Sequence, residues 1–278
     1  MSDFQSFAAA HGLIIRDLEM GRWCRVPTED HPASRNGAYK FMGDCGHVQN
    51  WATMPEASTW FPDADSRVAV DRWAMQRLRE KAEREAKEAK EKAARKAGWI
   101  CHQCVNEQHA YLDWKGFPDL LGMVWHKAEG ENLLVVPMCV KGKLVGCQTI
   151  NRDGEKKFLF GQQTKGAEYL IDNKGSHYFV EGYASGLSLR LVLKALKVRY
   201  TVHVCFSAHN LTFMAKAIGS GIVIADRDAS ETGERAAKAT GLPYWISDVI
   251  GNDINDDHQR LGIFRLSQSF RQWLRGVK

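Results

Sequence analysis

After Gly175 the chain alternates between short apolar runs and stretches of helical period. HYFVEG reads as a strand ending in an acid, and YASGLSLRLVLKAL as an amphipathic helix. RYTVHVCF, GIVIAD and LPYWISD continue the strands. AHNLTFMAKAIG, RDASETGERAAKATG and FRLSQSFRQWLRGV continue the helices. This βαβα order predicts a parallel sheet with right-handed crossovers. Just upstream, ENLLVVPMCVKGKLVGCQTINRDGEKKFLFG holds three apolar or alternating runs, broken at Lys141-Gly142-Lys143 and Arg152-Asp153-Gly154. Those breaks are hairpin signals, so an antiparallel meander is expected there, after a helical and then looped stretch over 99–127.

The first 62 residues or so are rich in Gly, Asp, Asn, Pro and aromatics, with short alternating pieces such as GRWCRV and GAYKFMG. They read as a small β-rich module. From Ser66 to Ala97 there is no Gly or Pro, and strong helix formers dominate. Glu80–Arg84, Glu83–Lys87, Glu88–Lys92 and Glu91–Arg95 stand four apart, the spacing of stabilising surface pairs. A solvated helical spacer of roughly 45–50 Å ending at Gly98 is expected. The resulting division is 1–64 β-rich module, 65–98 charged helical linker, 99–175 meander subdomain, and 176–278 parallel-sheet domain with a C-terminal helix. The fold class is α/β, or α+β over the whole chain.

Composition narrows the function classes without choosing one. Hydrophobic residues are 44% and charged residues 26% of 278, values of an ordinary globular protein. No apolar run approaches the ~20 residues of a membrane span. The start MSDFQSFAAAHGL lacks a basic n-region and an apolar h-region, so a cytoplasmic location and no membrane partner are expected. Seven scattered cysteines read as reduced thiols, and the net charge of +5 permits a polyanionic partner.

The informative chemistry lies where the strands end. In open α/β sheets, ligands bind beyond the carboxyl ends of the strands. Glu181 follows HYFV, Asp226 and Asp228 follow GIVIA, and Asp248, Asp253, Asp256 and Asp257 follow LPYWIS. Carboxylates gathered at one rim repel unless a cation sits among them, and hard oxygen ligands suit magnesium or manganese. The bland alternative is that Asp228 only caps a helix and that Asp256 and Asp257 are solvated loop acids.

FVEGYASGLSL followed by IVIADRDASETGERAA resembles the Toprim domain of bacterial primases, type IA and II topoisomerases and related nucleases. The resemblance implies that Glu181, Asp226 and Asp228 are catalytic and, with Asp253 and Asp256, hold Mg²⁺ or Mn²⁺. Upstream, HAYLDWKGF and the P-x-x-x-x-G-x-L-x-x-x-Q-x-I-x-x-D-G-x-K-x-F pattern of 137–158 resemble the segment preceding Toprim in DnaG-like phage and plasmid primases. SAHNLTFMAKA and GNDINDDHQRLG resemble their Asn-Leu segment and G-x-D-x-N-D loop. What this implies is a primase: a nucleotidyltransferase joining NTPs into short RNA primers on a single-stranded DNA template. Lys156, Lys157, Lys165, Asn210 and Gln148 are then the expected nucleotide or template contacts, although exposed hairpin lysines serve equally as a solvated surface.

In the N-terminal module, Cys24, His31, Cys45 and His47 have the irregular spacing C-x6-H-x13-C-x-H, and zinc is not expected. The lone Cys101-His102-Gln103-Cys104 knuckle reads as structural. GRWCRVPTEDHPASRNGAYKFMGDCGHVQNW resembles a metal-free version of the primase zinc ribbon. Trp23, Arg25, Arg35, Tyr39 and Lys40 are the expected nucleic-acid contacts, weighed against a core role for the aromatics. No Walker motif (G-x-x-x-x-G-K-S/T) is present, so either a replicative helicase is recruited as a separate partner or the chain is the primase fragment of a longer protein. Two alternatives stand beside the primase. One is a Toprim nuclease, where the same acids activate water; the other is a non-catalytic adaptor that binds DNA or a helicase.

Overall fold

The computed structural model describes residues 3–54, 56–62, 72–127 and 130–277. The start of the expected linker, residues 65–71, lies outside them. Contacts divide the chain into two compact units, Met1–Glu88 and Ala89–Lys278.

In the first unit a short helix, α1 (Asp3–Ala10), packs on an antiparallel sheet of β1 (Trp23–Val26), β2 (Gly37–Phe41), β3 (Gly46–Asn50) and β4 (Ser58–Trp60) in the order 1-2-3-4. Strand alternation gives the sheet two unlike faces. Phe4, Ala8, Leu13, Tyr39 and Val48 form the buried side, with Phe41 and Trp60 packed against it. Gly46 admits the Phe4 ring, because a Cβ there would lie 2.1 Å from it.

The long helix α2 (Arg72–Gln103) spans the boundary between the units and does not stop at Gly98. Gly98 costs an exposed helix about 1 kcal/mol relative to Ala. The helix continues because Ala97 and Ile100, on either side of it, are fully buried with Val135 and Cys147. Tertiary burial outweighs the local stop signal. Among its charge pairs, Lys81–Glu85 and Arg84–Glu88 close at 3.9 and 4.0 Å, with the cation first and both partners exposed.

The second unit carries two five-stranded sheets. The first is an antiparallel meander of β5 (Val105–Glu107), β6 (Gly122–His126), β7 (Asn132–Val140), β8 (Lys143–Ile150) and β9 (Lys156–Phe158) in chain order. The short helix α3 (Ala110–Trp114) lies between β5 and β6. The β7–β8 hairpin turns on Lys141 and Gly142, both at positive φ, as a two-residue turn matched to strand twist requires.

The second sheet has the order β10-β12-β11-β13-β14. β11 (Ser176–Val180), β12 (Tyr200–Val204), β13 (Ile222–Ala225) and β14 (Tyr244–Ile246) are parallel, and β10 (Tyr169–Asp172) is an antiparallel edge. The crossovers are α4 (Tyr183–Ala195), α5 (Ala208–Ile218) and α6 (Thr232–Lys238). The final helix α7 (Ile254–Gly276) starts within GNDINDDHQRLG and is bent at Gly262, where φ is 72°. Both faces of this sheet are buried, and β13 (IVIA) is continuously apolar, while β11 and β12 also carry His177, Thr201 and His203. The chain is thus a mixed α/β protein with a mainly parallel sheet flanked by helices.

Candidate active site

Parallel pairing sets the geometry of the rim. Val180 stands opposite Ile224, so Glu181, one residue further on, and Asp226, two residues further on, both emerge at the carboxyl edge. Gly182 opens α4 immediately after Glu181. The start of α6 presses on Asp226 from behind: a Cβ at Gly233 would lie 2.3 Å from the Asp226 carbonyl oxygen.

The carboxylates differ sharply in environment. Burial, then the charges of Asp253 and Glu181, push the Asp226 carboxyl up to about 8, with Lys156 opposing. Glu181 is raised for the same first reason, with Lys156 again opposing and Asp228 and Asp253 adding repulsion. Asp228 goes the other way. Burial alone would raise it, but donors from Ser230, Gly233 and Thr232 outweigh that and hold it below the ordinary carboxylate range. Its oxygens accept the Thr232 and Gly233 amides at 3.1 and 3.0 Å. It therefore serves the start of α6 as well as facing the rim.

Asp253 is the N-cap of α7, accepting the amides of Asn255 and Asp256 at 2.7 and 2.9 Å and the Ser185 hydroxyl at 3.0 Å. Asp256 closes the reciprocal capping box by accepting the Asp253 amide at 3.0 Å. Its other oxygen faces Lys115 at 3.9 Å. Asp257 is buried, bonded to Asn252 and Arg260 at 3.0 and 2.9 Å. GNDIND is thus a helix start more than a loop.

Glu181, Asp226, Asp228 and Asp253 feel one another's charge. Among the described residues, however, no three His, Cys, Asp or Glu side chains stand close enough to cage an ion between them. The set suits a cation that keeps several waters and takes only one or two protein carboxylates, as magnesium does. The buried Tyr111 hydroxyl has no hydrogen-bond partner. Burial and the Asp253 charge push it up to about 12.

The expected nucleotide contacts separate into two groups. Lys156 lies close enough to Glu181 and Asp226 to offset both, while Lys157, next along the strand, turns to Glu155 at 3.2 Å. Lys165 is exposed, its Nζ 4.7 Å from the Phe213 ring centroid. Asn210 is not a contact in this arrangement. It is 3% exposed. Its amide donates to the Ala167 and Cys205 carbonyls at 2.7 and 2.8 Å and accepts the Gly166 amide at 2.7 Å. Gln148 is likewise buried, at 4% exposure on β8.

In the first unit, register aligns Trp23, Lys40, His47 and Thr59 in one row across the four strands. Trp23 is 51% exposed, and the Arg25 guanidinium stacks 4.0 Å over the Trp51 ring while donating to the Arg35 carbonyl. Arg35 is exposed. Tyr39 belongs to the opposite face: it is 1% exposed, and its hydroxyl donates to the Asp17 carbonyl and accepts the Glu19 amide. Alternation along β2 puts Lys40 outside and Tyr39 inside, so the tyrosine is core.

Three residues at the rim escaped the sequence reading. Lys115 carried a signal, as the lysine of HAYLDWKGF. Tyr111 sits in the same motif. Phe206 carried none: its amide donates to the Glu181 carbonyl at 2.8 Å with φ at 66°.

No protein-family model matches the chain. Among solved structures it is similar to the primase fragment of the bacteriophage T7 primase-helicase protein, at 16% identity and a TM-score of 0.40, over 57% of this chain and 68% of that one. No described helix is long and apolar enough to cross a membrane.

Proposed function

We propose that the chain is a primase-type nucleotidyltransferase that extends RNA on a single-stranded DNA template with Mg²⁺ or Mn²⁺. The observation carrying this reading is a rim where two desolvated carboxylates, Glu181 and Asp226, stand together with Lys156 as the cation opposing them both. Such a rim is short of positive charge until a divalent ion and its phosphate ligands arrive. Asp226 and Glu181 would hold the ion, with Asp228 and Asp253 facing it at longer range. When bound, the metal neutralises charge on a triphosphate and lowers the pKa of an attacking hydroxyl.

The chain's own groups do the rest. Asp226 would give up its proton on holding a cation, whose positive charge offsets the cost of a buried carboxylate beside Asp253 and Glu181. Lys156 orients a phosphate beside the carboxylates. Asp253 and Asp256 are spent on capping, which holds Ser185 and Lys115 in place at the edge. In the first unit, the Trp23–Lys40–His47 row and the Arg25–Trp51 stack offer rings and cations to bases and phosphates.

The presence of the antiparallel meander ahead of the acidic sheet favours synthesis over the nuclease alternative, since cleavage by the same acids does not need it. The test is incubation with single-stranded DNA, labelled NTPs and Mg²⁺, comparing the wild type with Asp226→Ala. Short labelled oligonucleotides lost in the variant support the proposal. Template degradation without synthesis assigns the nuclease, and neither activity leaves the adaptor.

A further inference from the structure

We propose that Phe160 is a base-stacking platform for single-stranded nucleic acid, with Phe158 two residues before it and Lys165 five residues after it in the chain. The inference rests on the nucleic-acid reading above and extends it to a site apart from the carboxylates. Phe160 is 98% exposed, the most exposed of the large hydrophobic side chains among the described residues. A lone exposed apolar residue on a floppy tip needs no explanation. This one is held on a braced turn.

Residues 159–162 form a β-turn, with the Gln162 amide donating to the Leu159 carbonyl at 3.2 Å. Gly161 stands third, at φ 76°, the conformation that favours glycine there. The Gln162 side chain pins the turn to the meander. Its oxygen accepts the Cys147 and Leu159 amides at 3.1 and 3.2 Å, and its nitrogen donates to the Met138 sulfur at 3.0 Å. On the other side Gly161 lies against α2, where an added Cβ would be 2.9 Å from the Ala89 Cβ. Four contacts thus fix a ring that itself packs on nothing.

The surroundings say what the ring is for. Phe158, 44% exposed, sits two residues back on β9 and meets Phe206 edge to face at 6.3 Å. Phe206 in turn bonds the Glu181 backbone. Along β9, Lys156 and Phe158 share a face by alternation. Aromatic side chains and a lysine therefore lead from the carboxylates outward to the Phe160 turn. Lys157 and Lys165 are exposed, and Lys165 lies over the Phe213 ring. Rings interleaved with cations match bases interleaved with phosphates, and an unpaired strand alone presents its base faces. A protein partner would instead be expected to meet a wider apolar patch than one exposed ring.

The experiment measures binding of the full chain to fluorescein-labelled single-stranded oligo(dT), a mixed-sequence strand and the matching duplex. Phe160→Ala, Phe160→Trp and Lys165→Ala are compared with the wild type. Because Phe160 has no packing to lose, thermal melting of its variants stays at the wild-type value. Phe160→Ala is expected to weaken both single strands by about tenfold or more, to leave duplex affinity unchanged and to keep the salt dependence. Phe160→Trp retains binding. Lys165→Ala lowers the salt slope instead. If Phe160→Ala binds single strands as tightly as the wild type while the wild type makes primers, the platform is refuted and the function stands. If the wild type neither binds single strands nor synthesises, both fall together.

Discussion

Replacing Asp226 by Asn should abolish synthesis and stabilise the metal-free protein, and the two effects share one cause. The native carboxyl holds its proton up to about 8, against an ordinary 3.8. Between those pH values the native state binds more protons than the unfolded chain, so stability falls as pH rises and levels off above about pH 8. At ~1.36 kcal/mol per tenfold change in proton affinity the full effect is roughly 5–6 kcal/mol. Relaxation and water around a half-buried group lower this, and about 2–3 kcal/mol is expected at about pH 9. Asn has nearly the same shape and no proton to lose. Urea unfolding in EDTA, repeated from about pH 5 to pH 9, should show the two proteins close together at low pH and Asp226→Asn increasingly the more stable above it. Excess Mg²⁺ should then stabilise the wild type alone, since binding to the native state adds to its stability. A variant less stable than the wild type at pH 9, or a gap that does not change with pH, would show that Asp226 is not a strained acid awaiting a cation.

Asn210→Ala should cost about 3 kcal/mol in denaturant melts, because it strands the Gly166 amide and the Ala167 and Cys205 carbonyls without a partner. Gly233→Ala forces α6 away from the Asp226 carbonyl. It is expected to lower stability by about 2 kcal/mol and primer synthesis roughly a hundredfold by displacing the carboxylate; normal synthesis would mean that this close approach is not what positions Asp226. Tyr39→Phe should lose about 1 kcal/mol of stability with no change in single-strand affinity. Trp23→Ala should do the reverse, weakening single-strand binding by about 1–2 kcal/mol and leaving the melt within ~0.5 kcal/mol. Equal effects of both on binding would refute the two-faced sheet.

The parallel strands were readable because β11 to β14 are short, mostly apolar runs each followed by a helical period, a pattern that burial on both faces favours. Glu181 and Asp226 were readable from their place at strand ends. The edge strand β10 was not, since Tyr169–Asp172 alternates over only four residues and is paired by contacts distant in sequence. Gly98 misled because its local cost is smaller than the burial of Ala97 and Ile100. The Asn- and Asp-rich start of α7 looked like a loop, whereas the same residues are the best N-terminal caps. Tyr39 and Lys40 are neighbours in sequence with the composition of a binding surface, and only strand parity tells which one faces water. That parity depends on where β2 begins, which composition does not fix.

The acidic rim draws its carboxylates from one sheet and the lysine opposing them, Lys156, from the other. The two sheets are tied by the Cys139–Glu168 bridge and by the grip of Asn210 on Gly166 and Ala167. Any sliding of one layer past its neighbour changes the distance between that ammonium and Asp226, and with it how firmly the carboxyl keeps its hydrogen. Titration of a single side chain would therefore act as a ruler for the spacing of two β-layers.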